Sequence, residues 1–495
     1  MIISINREIM ARLADVISER TGLCFPSERW TDLERGLRSA MPELGFSGLT
    51  EMYKWLLTAD PVRRETEILA SHLTIGETYF FRDRAFFNSL RNTVIPELVD
   101  AKIKTSRSLR IWSAGCCTGE EPYSVAIMLR EIIPDISEWN ITLLATDINR
   151  RFLNKAINGI YNQWSFRQTS DDVRERFFVN AGNNLFSINN EIVSMVKFSI
   201  LNLVEDVYPS LLNNTNAMDL IICRNVLMYL KAGQAAEVVR RLYNSLVSRG
   251  LLSISPVEHS AAIAEYFDAE NIDGVTLYRK ALNVRQKAVN TQKPETEKHE
   301  SWHNHISEVK HPEIQAVTTV IKETESQDES ESIPDKWSEA GTLYNSGDYT
   351  GAIGILTQLE KQGRAEAREM ALLASCYANR GMLADARSWC EAAIVRDKLN
   401  PRLYYLLSVI LHEQGETEQA ETAFRKTLYL DPEFALAFFA LGNIAAQKGD
   451  FKTAEKHYRI VLELLKKFNP EDIIPGSEGM QVGKLSEIIR DLINR

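Results

Sequence analysis

Four glycines in the last third of the chain, Gly347, Gly381, Gly415 and Gly449, stand 34 residues apart, and five residues beyond each comes an alanine: Ala352, Ala386, Ala420 and Ala454. No other feature limits the fold so tightly. A period of this length predicts paired helices, the glycine turning the chain between partners and the small alanine letting them pack closely. Residues 401–413 read as a first helix and 418–430 as its partner, and Asp431-Pro432 marks a break between units. One pair cannot bury its apolar face alone. Stacked pairs can, and the stack presents a groove suited to a peptide or helix. The unit from Trp337 is the least regular, and 482–494 reads as an amphipathic closing helix. The expected bounds are 335–470 for the repeats and 471–495 for the capping helix. Nothing here points to catalysis; the module reads as a binding surface, with a plain spacer as the simpler alternative.

Chemistry must then come from upstream. Over 106–285 strand and helix patterns alternate, which predicts a doubly wound, Rossmann-like α/β sheet. Strands are expected near 109–114, 141–146, 196–203, 217–223, 250–255 and 275–280, and helices near 122–133, 149–158 and 232–248. Short polar strands within 161–195 predict a small antiparallel β-subdomain. The stretch 109–125, LRIWSAGCCTGEEPYSV, reads as a strand, a small-residue turn and a helix opening at Pro122. Proline suits a first helical turn, where its missing N–H is unpaired anyway. Such a unit directs free N–H groups into a cleft at the carboxyl end of a parallel strand, where open sheets bind ligands. Dinucleotide sites place a pyrophosphate there. Here Glu120 and Glu121 stand where a diphosphate requires positive charge. Carboxylates repel phosphate and attract a cation. The expected ligand is a nucleoside bearing positive charge, and S-adenosylmethionine, with its sulfonium and ammonium, meets that requirement. Asp147 ends the second strand, placed to accept hydrogen bonds from ribose hydroxyls; the plainer alternative is a cap for the helix from Asn149. Arg224 and Asn225 follow the apolar run 220–223 at the same edge.

Residues 1–105 predict an all-helical domain, with apolar residues at helical spacing in Ile9, Leu13, Val16 and Ile17 and again in Leu33, Leu37 and Met41. Arg29, Arg35, Arg38, Arg63 and Arg64 offer a basic face, or simply solvated helix surfaces. The end of this domain, 73–83, carries Gly76, Thr78 and Arg82 around the aromatics Tyr79, Phe80 and Phe81. An arginine beside aromatics is either a stacked structural residue or one that reaches over the neighbouring cleft. The net charge of −10 argues against a nucleic-acid partner. Six scattered cysteines without metal spacing suggest a reducing, cytoplasmic setting, and no metal site is expected. No apolar run approaches membrane-spanning length, so no direct membrane insertion is expected. Residues 286–334 are polar and charged, hold His299, His303, His305 and His311, and read as a disordered linker.

Several motifs in fixed order carry a family resemblance: T-x-x-x-T-x-F-F-R from Thr74 to Arg82, G-E-E-P-Y-S at 119–124, T-D-I at 146–148, N-L at 202–203 and C-R-N-V-L-M-Y at 223–229. With them the stretch 10–282 resembles the chemotaxis-receptor glutamate methyltransferases, the CheR family, and the 34-residue period resembles tetratricopeptide repeats. The resemblance implies a helical domain before a Rossmann-like S-adenosylmethionine domain with an inserted antiparallel β-subdomain. It implies esterification of glutamate side chains on the cytoplasmic helical signalling domain of a methyl-accepting chemoreceptor, with S-adenosylhomocysteine as product. Cofactor contacts would fall on Gly76, Thr78, Arg82, Glu121, Asp147, Asn202, Leu203, Arg224 and Asn225, and Arg82 and Tyr229 match positions beside the methyl-transfer centre. Gly76 departs from the asparagine common in the family, so only a backbone contact is implied there.

A glutamate carboxylate is ionised near pH 7 (pKa about 4.3) and needs no general base. The enzyme has to desolvate and aim it, and alignment of this kind can supply roughly 7–11 kcal/mol of barrier. Arg82 is the expected positioning cation. Some relatives are recruited by a receptor peptide through the β-subdomain; the corresponding loop, 179–185, is shorter here, so the repeats are expected to take over partner selection or autoregulation. Deleting 335–495 should then leave cofactor binding intact. Two rivals are a cofactor-binding scaffold without methyl transfer and an NAD-type oxidoreductase; the missing third glycine and the paired carboxylates count against the second.

Overall fold

The computed structural model describes residues 7–58, 63–205, 207–210, 213–281, 333–345, 347–363, 365–477 and 480–493. The polar stretch expected as a linker therefore lies, up to residue 332, outside the described residues.

Helices α1 (Arg7–Thr21), α2 (Trp30–Ala40), α3 (Leu49–Thr58) and α4 (Arg63–Leu73) form the first unit. Their apolar stripes meet in one cluster that includes Leu13, Ile17, Leu33, Leu37, Met52, Leu56 and Leu69. Short helices α5 (Arg84–Ser89) and α6 (Ile95–Lys102), joined by a π-turn, lead into the sheet. Alternating strands and helices follow: β1 (Ser108–Ala114), α7 (Glu120–Ile132), β2 (Asn140–Asp147), α8 (Arg150–Asn158), β3 (Ile160–Asn162), α9 (Asp171–Phe177), β4 (Phe178–Gly182), β5 (Leu185–Ile188), α10 (Asn190–Met195) and β6 (Val196–Ile200). The second half supplies β7 (Met218–Ile222), α11 (Ala232–Ser245), β8 (Leu246–Ser253), α12 (Ala261–Tyr266), β9 (Phe267–Ile272) and β10 (Val275–Lys280).

Seven strands form one sheet in the order β6-β2-β1-β7-β8-β10-β9. Neighbours run parallel except for β10, which lies antiparallel between β8 and β9. The period-2 alternation of β1 decides its two faces: Leu109 and Ile111 join one core, Trp112 and Ala114 the other. Strand order reverses between β1 and β7, so the crevice outside their carboxyl ends is the switch point at which such sheets take ligands. The small sheet β3-β5-β4 stands apart from it. Its β4–β5 hairpin turns on Asn183 and Asn184, both at positive φ (51° and 57°), the two-residue turn that suits strand twist.

Two differences from the sequence reading have local causes. Helix α11 stops at Ser245 and β8 begins at once with Leu246, because the apolar residues that prolonged the helical pattern belong to the strand. Strand β9 was absent from the reading: as an edge strand it buries only Phe267 fully, and its FDAENI sequence shows too little alternation to read.

The C-terminal helices are α13 (Ile333–Asn345), α14 (Tyr349–Lys361), α15 (Ala367–Asn379), α16 (Leu383–Arg396), α17 (Pro401–Glu413), α18 (Thr417–Leu430), α19 (Ala435–Gln447), α20 (Phe451–Leu465) and α21 (Val482–Ile493). The periodic glycines sit at φ between 74° and 82° in the turns within each pair. The periodic alanines are all buried between helices. Among the described residues no helix is long and apolar enough to cross a membrane.

Candidate active site

A cleft of about 720 Å³ opens where β1, β2 and β7 end, within the range of small-molecule sites. The turn after β1 is squeezed against the turn after β7: a Cβ on Gly115, at φ 85°, would lie 2.3 Å from Cγ2 of Val226. Four N–H groups of this turn already have acceptors within the chain. Gly115 and Cys116 donate to the Thr146 carbonyl at 2.7 and 2.9 Å, and Gly119 to that of Cys116. Cys117, strained at φ 52°, donates to Asp147 Oδ2 at 2.8 Å. The tip of β2 thus takes up three donors that the sequence reading expected to be free, those of Gly115, Cys116 and Cys117.

The acidic pair also divides. Helix α7 begins at Glu120, two residues before the expected start at Pro122, so both carboxylates lie in its first turn. Glu120 is buried away from the cleft, accepting from the Thr118 hydroxyl at 2.6 Å and the Ser165 hydroxyl at 3.0 Å. Glu121 alone of the two lines the cleft, its Oε1 accepting from the Ser113 hydroxyl at 2.6 Å. Burial pushes its carboxyl up to about 7, against the opposing pull of Ser113, Arg224 and Arg82. Asp147 is raised by burial to about 6 although Asn149 and Cys117 donate backbone hydrogen bonds to it. It is not the cap of α8; Asn149 is, accepting from Arg151 and Phe152.

Arginines line the cleft as well. Arg82 lines the cleft and donates to the Glu77 carbonyl at 2.5 Å. Arg224 pairs with Asp83 at 2.5 Å, donates to the Ile254 carbonyl at 3.1 Å and lies 4.5 Å over the Phe86 ring. Tyr229 lines the cleft next to the first helical unit, where its carbonyl accepts from Cys24 N at 2.6 Å. Thr78, Asn202, Leu203 and Asn225 complete the set, so nine of the ten expected residues share one cavity. Gly76 is the exception. A Cβ there would lie 2.4 Å from the Phe152 ring, and it is Phe152 that lines the cleft.

Sequence reading missed two contributors. Arg29, expected only on a basic helix face, lies in the cleft wall with its guanidinium 5.1 Å from the Phe25 ring and 5.5 Å from the Tyr229 ring. Glu258, behind the wall, accepts from the backbone N–H of Asn225 at 2.8 Å, of Val226 at 2.6 Å and of Ser255 at 2.8 Å. The signal for it was present: Ser255 followed three residues later by Glu258 is a capping box.

These residues fit S-adenosylmethionine. Two buried carboxylates with raised values gain from a positive ligand, the tip of β2 offers a carboxylate for hydroxyls, and the turn withholds what a phosphate requires. Among the described residues no group of side chains is arranged to hold a metal ion.

Comparison with known proteins agrees. The family described as CheR methyltransferase, SAM binding domain, matches residues 76–274, and the tetratricopeptide repeat family matches 339–401 and 405–467. The chain is 30% identical over 229 residues to a chemotaxis protein methyltransferase of Borreliella burgdorferi, covering 46% of this chain and 79% of the relative. It is 31% identical over 240 residues to a probable chemotaxis protein methyltransferase of Rhizobium etli, covering 48% and 86%. The probable biofilm formation methyltransferase WspC of Pseudomonas aeruginosa is 25% identical over 445 residues, covering 90% of this chain and 96% of that one. The chain therefore belongs to the chemotaxis protein methyltransferases of the CheR family, whose cofactor is S-adenosylmethionine, with tetratricopeptide repeats at its C-terminal end.

Proposed function

We propose that this chain methylates glutamate side-chain carboxylates on the helical signalling domain of a methyl-accepting chemoreceptor in the cytoplasm, forming methyl esters and S-adenosylhomocysteine. The observation that carries the reading is that one cleft is lined by acidic groups, Glu121 and Asp147, by cations, Arg82 and Arg29, and by Tyr229. A cleft of that polarity takes a cationic cofactor and an anionic acceptor together. Bound S-adenosylmethionine supplies a methyl group made electrophilic by its sulfonium.

The chain's own residues do the rest. Glu121 and Asp147 hold the positive end and the ribose hydroxyls of the cofactor, helped by Thr78, Asn202, Leu203, Arg224 and Asn225. Arg82 binds the incoming carboxylate and aims it, and Tyr229 walls the methyl pocket. No side chain need remove a proton, since a glutamate acceptor is already ionised. Gly76 contributes by leaving room for Phe152. All six cysteines are free thiols, in keeping with a reducing compartment. The repeats serve a further protein partner.

The test is transfer of a labelled methyl group from S-adenosylmethionine to a receptor signalling-domain fragment, followed by mild base. Release of labelled methanol is the expected result for a carboxyl ester. Binding of the cofactor without any transfer would instead favour a scaffold protein.

A further inference from the structure

Three of the four periodic glycines lie against the methyltransferase domain. A Cβ on Gly347 would lie 2.1 Å from Nδ2 of Asn244 at the end of α11, one on Gly381 3.2 Å from Cβ of Ala217 beside β7, and one on Gly415 3.5 Å from Nδ2 of Asn140, the first residue of β2. At Gly449 nothing lies within 4 Å. The stack thus seats the turns of its first three pairs against the amino ends of β2 and β7 and the end of α11, at the end of the strands away from the cleft.

The seat is held by charge as well as by fit. Arg110 of β1 and Glu413 of α17 form an ion pair with side chains only 10% and 9% exposed. Asn140 Nδ2 donates to the Glu413 carbonyl at 2.9 Å. Such burial is tolerable only where the remaining guanidinium donors find acceptors. Here Arg110 Nε donates to the Asn216 carbonyl at 3.2 Å, and Nη2 to Asn214 Oδ1 at 2.6 Å. Asn214 and Asn216 belong to the connection between β6 and β7, and that connection opens with Leu201, Asn202 and Leu203 in the cleft wall. A second contact reaches the same connection: Ser477, Met480 and Ile488 face Leu201, Val207 and Asn213 across a crevice of about 40 Å³. Tyr208 ties the middle of the connection to its cleft end, its hydroxyl donating to the Leu203 carbonyl at 2.8 Å.

We propose that the repeat stack is an internal clamp that positions the 201–203 wall of the cofactor site. Glu413 is its positioning residue, acting through Arg110 and Asn214, so docking of the stack and occupancy of the cleft favour one another. The inference rests on the cleft being the S-adenosylmethionine site and is independent of which carboxylate is methylated. It departs from the expectation that removing 335–495 leaves cofactor binding intact.

Glu413→Lys in the full-length chain sets a cation against Arg110 and Lys197. S-adenosylhomocysteine titrated by calorimetry is expected to bind at least about fivefold more weakly, while small-angle scattering shows an expanded particle. Glu413→Gln, which keeps an acceptor, should fall between. An expanded particle with wild-type affinity overturns the proposal, and so does a Glu413→Lys chain that stays compact. Should that variant fail to fold, hydrogen exchange on the wild-type chain decides. Coupling is reciprocal, so S-adenosylhomocysteine must slow exchange at 413–417 and 482–489 as well as at the cleft; protection confined to the cleft refutes the clamp. Absence of methyl transfer to a receptor fragment would leave all these readouts unmoved.

Discussion

Arg82 and Glu121 line the same cleft with different tasks in the proposed reaction, and single substitutions should separate them. Arg82→Ala is expected to lower kcat by about 100-fold or more, because alignment of the acceptor is lost; initial rates at saturating receptor fragment and cofactor measure it. Arg82→Lys should not restore the rate, since an ammonium lacks the planar fork that grips a carboxylate. Asp147→Asn should instead raise the cofactor Kd about tenfold or more with a modest change in kcat. Asparagine is the milder replacement: Cys117 and Asn149 donate to different oxygens of Asp147, so asparagine keeps an acceptor for one of them where alanine keeps none. Burial raises Glu121 from 4.5 to about 7 and Asp147 from 3.8 to about 6. Between about pH 4 and 7 the folded chain therefore holds protons that the unfolded chain has released, and its stability without ligand falls as pH rises through that window. A cationic ligand prefers the ionised carboxylates, so S-adenosylmethionine should bind more tightly at pH 8 than at pH 5.5, and Glu121→Gln should flatten the upper part of that dependence. Calorimetric titrations at several pH values test this; an affinity independent of pH would contradict the assigned contacts.

Among the elements, the loop after β7 shows how a wall is held by a residue that never faces the ligand. Glu258 collects four backbone N–H groups and the Ser255 hydroxyl, so Glu258→Ala leaves several buried donors without an acceptor, at about 1–3 kcal/mol for each group left unpaired. A drop of several degrees in Tm, together with weaker cofactor binding, is the expected outcome, read by thermal unfolding with and without S-adenosylhomocysteine. Local patterns made much of this level legible. The apolar run of β1, the glycine turn and the existence of the helix after it could be read because short-range chemistry dictates them, although α7 opens two residues before Pro122. The switch-point cleft followed from strand alternation, and nine of the ten expected residues line it. What escaped was set by distance. Arg29 reads as one surface arginine among several until the first helical unit folds against Tyr229. Glu120 and Glu121 are indistinguishable in sequence, and only the helical turn sends one to Ser165 and the other to the cleft. Strand β9 takes its identity from its partner β10 rather than from its own pattern.

At the level of the whole molecule, a 34-residue period announced the repeats but not their seat. The periodic alanines, Ala420 among them, are buried within the stack, and Ala420→Leu should destabilise it by about 1–3 kcal/mol through overpacking. If the clamp operates, the same substitution weakens cofactor binding although Ala420 lies far from the cleft in sequence; denaturant unfolding paired with calorimetry tests both effects. The cleft itself is assembled from stretches as far apart as Thr21 and Val257. It therefore comes into being only once most of the chain up to β8 has found its place, and any nucleoside that fills it draws the folding equilibrium forward. Culture media or buffers enriched in such a nucleoside should rescue the yield of folding-impaired variants, which makes the site a handle for producing the protein as well as the seat of its chemistry.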